Sequence, residues 1–235
     1  MFDVSARERK ARTMMAVLED YLDRPLQELR VLNVGGSSGI IDHYLSQYAG
    51  RVVGMDIDDA AIRYAKKTYT NENLEFQVAD ALNLPFSNES FDISICSQVY
   101  EHVMDAGKML DEIFRVLIPG GICYFAANNR LVLNEPHYNL PLLSVLPRFL
   151  SHIYMKVSGK GNYYYEKHFS YWGLKSLVKK FHIMDYTRKT VFESKKYCTD
   201  YMIKPNSLKE KSAKIILNYA YWLSPGYIWL LQKPF

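Results

Sequence analysis

An α/β fold is the expectation from this sequence: a doubly wound, seven-stranded, mainly parallel sheet, helices on both faces, and a cap inserted after the fifth strand. Three observations carry it. Short apolar runs alternate with segments of helical period through residue 127, the rhythm of a parallel sheet with crossover helices. The first run stops at a glycine-rich turn, Gly35-Gly36-Ser37-Ser38-Gly39, where the backbone bends sharply. Acidic residues, Asp56 and Asp80, stand where the second and third runs end, the end at which open α/β sheets bind ligands.

The elements follow in order. Met14, Val17, Leu18, Tyr21 and Leu22 fall at helical spacing, so residues 5–22 read as an amphipathic helix halted before Pro25. LRVLNV (29–34) is the first strand and residues 40–48 resume the helical period. RVVGMD (51–56) is the second strand, after which Asp58 can cap a helix to about Tyr69. LEFQVA (74–79) and FDISICS (91–97) are the third and fourth strands. A helix over 103–117 is expected to end at Pro119-Gly120-Gly121, and GICYFAA (121–127) forms the fifth strand. The rhythm then breaks. Residues 128–169 hold three prolines, two glycines and Tyr163-Tyr164-Tyr165, an irregular insertion with short helical pieces. Ser170 starts another helix, HIMDYTRKT (182–190) reads as a sixth strand, Ser207 to Glu210 is a capping box opening a helix to about Leu223, and YIWLLQK (227–233) is the last strand. The expected organisation is one domain over 1–235, with its core at 26–127 and 170–235, an N-terminal helix at 5–22 and a substrate cap at 128–169.

Composition narrows the class. The chain has 235 residues, about 1.6 times a typical domain, enough to bury a core without staples. Hydrophobic residues make up 49% and charged residues 23%, which excludes disorder as the main state. Cys96, Cys123 and Cys198 are too scattered for a disulfide framework or a cysteine zinc site, and suit a reducing cytoplasm. Neither a signal peptide nor a membrane span is expected, because the N-terminal segment has no apolar stretch and no run of ~18 apolar residues occurs. The net charge of +4 is spread along the chain, which permits an anionic substrate and gives no footprint for nucleic acid.

Three features of the first half point to one ligand. The glycine turn lets a ligand approach the main chain. Asp56, about 20 residues after Gly35, stands where a carboxylate accepts from two ribose hydroxyls; Asp58 and Asp59 are already available for capping, which leaves Asp56 for the ligand. Asp80, followed by Ala81, is placed to accept from an adenine amino group. Together they predict adenosine binding. A dinucleotide fits less well, because Ile40 occupies a position where a pyrophosphate-binding loop needs glycine or alanine.

VLNVGGSSG, VVGMDID, VADALNLPFSNESFDISICSQVYEHV and EIFRVLIPGG resemble, in order and spacing, the successive motifs of class I S-adenosylmethionine-dependent methyltransferases, in particular their small-molecule branch. The resemblance covers residues 29–127. It implies a Rossmann-like fold and S-adenosyl-L-methionine as cofactor, with S-adenosyl-L-homocysteine as product. It also implies that Gly35, Gly36, Ser37 and Gly39 line the methionine part, that Asp56 holds the ribose with Ile57 against adenine, that Asp80 and Ala81 meet the adenine edge, and that Ser97 and Gln98 form the floor near the sulfonium. Two positions depart from the family pattern: Asn33 replaces an acid and Ser37 a glycine.

Candidate bases for a hydroxyl acceptor are His102, after the fourth strand, and His137, in the insertion, with His168 third. His43, His152 and His182 read as exposed. No metal-ligand set is expected: Ser97-Gln98 and Asn128-Asn129 stand where metal-dependent O-methyltransferases carry Asp and Asp-Asn, and SQVY lacks the Pro-Pro-aromatic pattern of DNA base methylation. The insertion and tail are expected to select a small-molecule acceptor, including glycan or lipid-linked ones, with Tyr138, Tyr154, Tyr163, Tyr164, Tyr165 and Trp172 available for stacking. Apolar stretches at 140–150 and 215–231 allow peripheral membrane contact. The competing classes are a nicotinamide-dependent oxidoreductase and a non-catalytic relative that keeps the fold.

Overall fold

The computed structural model describes residues 3–235; Met1 and Phe2, part of the expected domain, lie outside the described residues. Its strands, in chain order, are β1 (Arg30–Val34), β2 (Arg51–Asp56), β3 (Leu74–Val78), β4 (Phe91–Ser97), β5 (Leu117–Asn128), β6 (Asn134–Glu135), β7 (Leu140–Pro141), β8 (His182–Asp185) and β9 (Gly226–Gln232). The helices are α1 (Val4–Tyr21), α2 (Ile40–Ser46), α3 (Asp59–Thr68), α4 (Ala106–Val116), α5 (Arg148–Val157), α6 (Tyr171–Leu177), α7 (Thr187–Phe192) and α8 (Leu208–Tyr219).

Seven strands form one sheet in the order β3-β2-β1-β4-β5-β9-β8, while β6 and β7 pair as a separate hairpin. Pairing is parallel from β3 to β5 and antiparallel on both sides of β9. The chain winds outward from β1 to β3 and then crosses to β4, so the topological switch point lies between β1 and β4, where a crevice opens beyond the strand ends.

Strand alternation sends neighbouring side chains to opposite faces. Leu32, Val34, Val53, Met55, Cys123 and Phe125 pack with α4 and α6 on one face. Val31, Val52, Ile93, Ile95, Ile122 and Tyr124 pack with α1, α2 and α3 on the other. The segment after β5 carries its own small core of Leu140, Leu143, Met155 and Tyr164.

Caps set several boundaries. Asp3, Asp58, Asp105, Ser170 and Ser207 each accept a backbone N–H at the first turn of the helix that follows. Four expected boundaries change. The helix after β4 begins at Ala106 rather than near Val103, because Asp105 accepts from Lys108 N–H and leaves 101–104 as a turn. It ends at Val116, since Leu117 already pairs with Phe91 and β5 starts before the Pro-Gly-Gly segment, with a register shift between Phe91 and Ile93. The run 182–190 is half strand: Asp185 accepts from Thr187 N–H and turns the chain into α7. The capping box at Ser207 is skewed, its serine accepting from Glu210 N–H while Glu210 reaches back to Asn206 N–H, and the helix stops at Tyr219.

Candidate active site

Val34 leads β1 into Gly35, whose φ of +77° is left-handed and whose missing Cβ would stand 2.6 Å from Val99 Cγ2. Only glycine meets both demands. The N–H groups of Gly35 and Gly36 both donate to the Met55 carbonyl, at 2.9 and 2.8 Å, which folds the loop over the end of β2. Ser37, also at positive φ (53°), donates its N–H to Asp56 Oδ2 at 2.8 Å, and Asp58 N–H reaches Oδ1 at 3.0 Å. Each oxygen of Asp56 therefore has one fixed partner and one lone-pair direction left for a ligand.

A crevice of about 380 Å³ opens there, inside the ~300–1,000 Å³ range of small-molecule sites. Its walls include Gly35, Asp56, Ile57, Asp80, Ala81 and Gln98 from the expected cofactor set, and His102 from the expected acceptor side. Ile57 and Met104 on the rim are 71% and 83% exposed, so the crevice edge is partly apolar. Asp80 accepts from Leu82 N–H at 2.9 Å, which fixes the turn after β3. Gln98 holds a positive φ of 60°, and its N–H donates to Ala126 O at 2.9 Å. Strained non-glycine residues of this kind gather at ligand clamps.

The remaining expected cofactor residues lie around the crevice rather than on its wall. Gly36 faces Asp42, Gly39 faces Phe76 and Ala65, and Ser97 pairs with Ala126 inside the sheet. Asn33 is buried under the loop beside Asp42. Asp42 is fully buried, and among the described residues neither carboxylate oxygen has a well-formed hydrogen bond. Burial pushes its carboxyl up to about 7, while the neighbouring Asn33 amide favours the charged form. Sequence reading missed the apolar lining by Met55, Ala79, Leu82, Val99 and Val103, whose types are indistinguishable from core.

On the expected acceptor side, Lys167 N–H donates to the Glu101 carbonyl at 2.9 Å, which pins 166–168 against the turn after β4. Tyr100 OH donates to Asn128 O and lies 3.5 Å from His168 Nδ1. His137 donates from Nδ1 to Glu135 Oε1 at 2.6 Å, while the N–H groups of His137 and Tyr138 both donate to Oε2 at 2.9 Å. The rings of His102 and His137 meet edge to face with centroids 4.8 Å apart. The structure thus brings the two expected acceptor-side histidines together, with His168 behind them and 3.5 Å from Glu135. Burial opposes ionisation of Glu135, but the bond from His137, the nearby His168 imidazole and the Tyr138 N–H prevail and hold the carboxyl at about 2. The Glu135 bond raises His137; burial and the nearby His137 lower His102; burial raises Glu101. By contrast His43, bonded to Asn71, and His152, accepting from Tyr164 N–H, are half-buried structural residues rather than exposed ones.

Residues 32–125 match the family model described as a methyltransferase domain. The chain is 32% identical over 139 residues to a demethylmenaquinone methyltransferase of Clavibacter sepedonicus, covering 54% of this chain and 57% of that protein. It is 32% identical over 110 residues to a ubiquinone biosynthesis O-methyltransferase of Rhizobium rhizogenes, covering 46% and 44%. The matched stretch spans about half the length of these curated relatives. Among solved structures, a methyltransferase from Methanosarcina mazei superposes with a TM-score of 0.60 at 21% identity, covering 93% of this chain and 97% of that one. The [4+2]-cyclase SpnF superposes with a TM-score of 0.57 at 17% identity, covering 95% and 81%. At these identities the likeness is one of fold, and the fold alone serves more than one chemistry. Over residues 32–125 the chain matches a methyltransferase domain, and its motifs and sheet order are similar to those of the class I S-adenosylmethionine-dependent methyltransferases.

Proposed function

We propose that the chain transfers a methyl group from S-adenosyl-L-methionine to a small-molecule acceptor, glycan or lipid-linked compounds included. The single observation that carries this reading is the make-up of the crevice wall: two carboxylates, Asp56 placed for a ribose and Asp80 for an adenine edge, share it with exposed Ile57 and Met104. A carboxylate pair suits a diol, an amino group and a cation, and Ile40 fills the place where a pyrophosphate loop needs glycine or alanine.

The donor set fits the cofactor. Asp56, already oriented by two backbone N–H groups, would hold the ribose, Ile57 would pack on adenine, and Asp80 with Ala81 would meet its edge. Gly35, Gly36, Ser37 and Gly39 shape the loop for the methionine part, Asn33 supports it from below, and Ser97 and Gln98 close the floor. S-adenosylmethionine supplies an activated methyl group on a sulfonium sulfur. What the chain adds is position: holding the acceptor in line at ~3–3.5 Å supplies much of the ~7–11 kcal/mol available from proximity. His102 and His137 are the polar groups offered to the acceptor. Residues 128–169 form the cap that shapes its site and excludes water, with Tyr163 and Tyr165 of the cap and Trp172 of α6 exposed for stacking.

Calorimetric titration with S-adenosylmethionine, S-adenosylhomocysteine and NAD in parallel tests the reading. Saturable binding of the first two and none of NAD is expected. Binding of NAD alone, or of none at millimolar ligand, overturns it.

A further inference from the structure

Behind the crevice wall, the turn after β4 and segments 135–137 and 166–168 assemble three carboxylates and three imidazoles: Glu101, His102, Glu135, His137, Glu166 and His168. Glu101 is 1% exposed, and neither of its carboxylate oxygens has a hydrogen-bond partner among the described residues. A carboxylate out of water and unpartnered costs several kcal/mol, so such a group takes up a proton or a cation, and two imidazoles beside it supply the donors a cation needs. Lys10 on α1 feels the field of Glu101 without hydrogen-bonding it. Glu135 is buried too, but its oxygens are engaged, and its bond to His137 Nδ1 leaves Nε2 as that ring's free nitrogen. Donor atoms of Glu101, His102 and His137 all lie within 4.8 Å of one another. A second group, Glu135, His137 and His168, meets the same limit. There the 2.6 Å bond between Glu135 and His137 already uses the atoms an ion would need.

We propose that Glu101, His102 and His137 hold a divalent transition-metal ion of the zinc class beside the crevice, with Glu135 orienting His137 and one coordination position open to an oxygen acceptor. Two imidazoles and a carboxylate form a borderline donor set that favours zinc, cobalt or iron over magnesium or calcium. Three protein donors and an open fourth position is the arrangement of catalytic rather than structural zinc. The carboxylate-to-imidazole bond at His137 is the contact that sets the tautomer of a ligating histidine. Glu166, 4.0 Å from His102 Nδ1, stands ready to do the same for His102. Tetrahedral donors around zinc stand about 3.4 Å apart, so the three groups close by roughly an ångström on the ion, and His102, with 44% of its side chain exposed, is free to move.

Binding of the ion is independent of the methyl-transfer reading; its role rests on it. His102 belongs to the crevice wall, so an acceptor hydroxyl reaching the open position would lose its proton to solvent on coordination, as metal-bound water does near pH 7. The oxygen's lone pair then forms the new bond to the methyl group while the bond to sulfur breaks and leaves its electron pair on sulfur.

The test uses the full chain stripped with a chelator, titrated with Zn²⁺ by calorimetry and, separately, loaded with Co²⁺ for its visible spectrum. One ion per chain is expected, with tetrahedral-type cobalt absorbance. Glu101→Gln and His137→Ala should each weaken Zn²⁺ at least about 100-fold and abolish that absorbance, and Glu135→Gln should weaken it about 10–100-fold. His182→Ala, on an exposed residue outside the cluster, should change nothing. Glu101→Gln removes a buried charge and so preserves folding, checked by its melting curve, which keeps the test valid if His137→Ala unfolds. Less than half an ion per chain, or equal binding by wild type and Glu101→Gln, overturns the proposal. Titration of the same samples with S-adenosylmethionine separates the two readings: zinc bound without cofactor sinks the methyl-transfer reading alone, and cofactor bound without zinc sinks this one alone.

Discussion

The N–H of Ser37 donates to Asp56 Oδ2 at 2.8 Å, so the glycine loop and the end of β2 are tied by the same carboxylate that faces the crevice. One residue thereby sets the loop and offers the ribose contact. Asp56→Asn keeps the shape but turns an NH₂ toward a backbone N–H. It is expected to lower stability by ~1–2 kcal/mol and S-adenosylhomocysteine affinity at least about 100-fold, as charged hydrogen bonds of ~1.5–3 kcal/mol are lost. Calorimetry and thermal melts read both effects, and affinity within threefold of wild type would contradict the assignment.

Gly35 is expected to tolerate no side chain. Gly35→Ala places a Cβ 2.6 Å from Val99 Cγ2 at a φ of +77°, with ~1–2 kcal/mol from the backbone alone and more from the collision. Val99→Ala in the same chain should recover the collision but not the backbone share. Full recovery in the melting temperature would show that the left-handed conformation is not strained.

Asp42 should make the protein less stable as pH rises. Its carboxyl is raised to about 7 from 3.8 by burial. A raised acid contributes stability that is complete below the unfolded value and is lost as pH climbs from about 4 to about 7. By that linkage Asp42→Asn gains about 3 kcal/mol more at pH 8 than at pH 4.5. Denaturant titration at the two pH values checks it; an equal gain at both would rule out the raised carboxyl.

Asp92 works in the opposite direction. Burial opposes its charge, but the Arg30 N–H and side chain and the Arg24 guanidinium outweigh it and hold the carboxyl below its usual value. Its stabilisation is present above the unfolded value and fades as pH falls. Both arginines are about half exposed, which screens the pairs, so Asp92→Asn should cost only ~1–2 kcal/mol at pH 7. The deficit should shrink below pH 4, and a deficit unchanged at pH 3 would exclude the ion pairs as its source.

The parallel half of the sheet was legible because fully buried strands read as apolar runs and β1 ends in glycines. Asp56 and Asp80 were legible because their positions follow from strand ends. HIMDYTRKT was misread because β-branched and aromatic residues continue past Asp185, whereas an aspartate side chain bonding two residues ahead decides the turn. Asp42 was invisible as a buried acid, since a polar residue in a short helix normally faces water. The association of Glu101 with His137 was invisible for a different reason: the hairpin of β6 and β7 and the backbone bond from Lys167 to Glu101 create it, and neither leaves a spacing pattern in the sequence.

Strand β9 is the latest strand in chain order yet an interior one in the sheet, wedged between β5 and β8. While a ribosome is still delivering residues 226–232, the earlier strands present an open flank at β5, and β8 has no neighbour to join. Completion of the sheet therefore waits for residues 226–232, and a nascent chain stalled before them should be far more open to proteases than one that has added them.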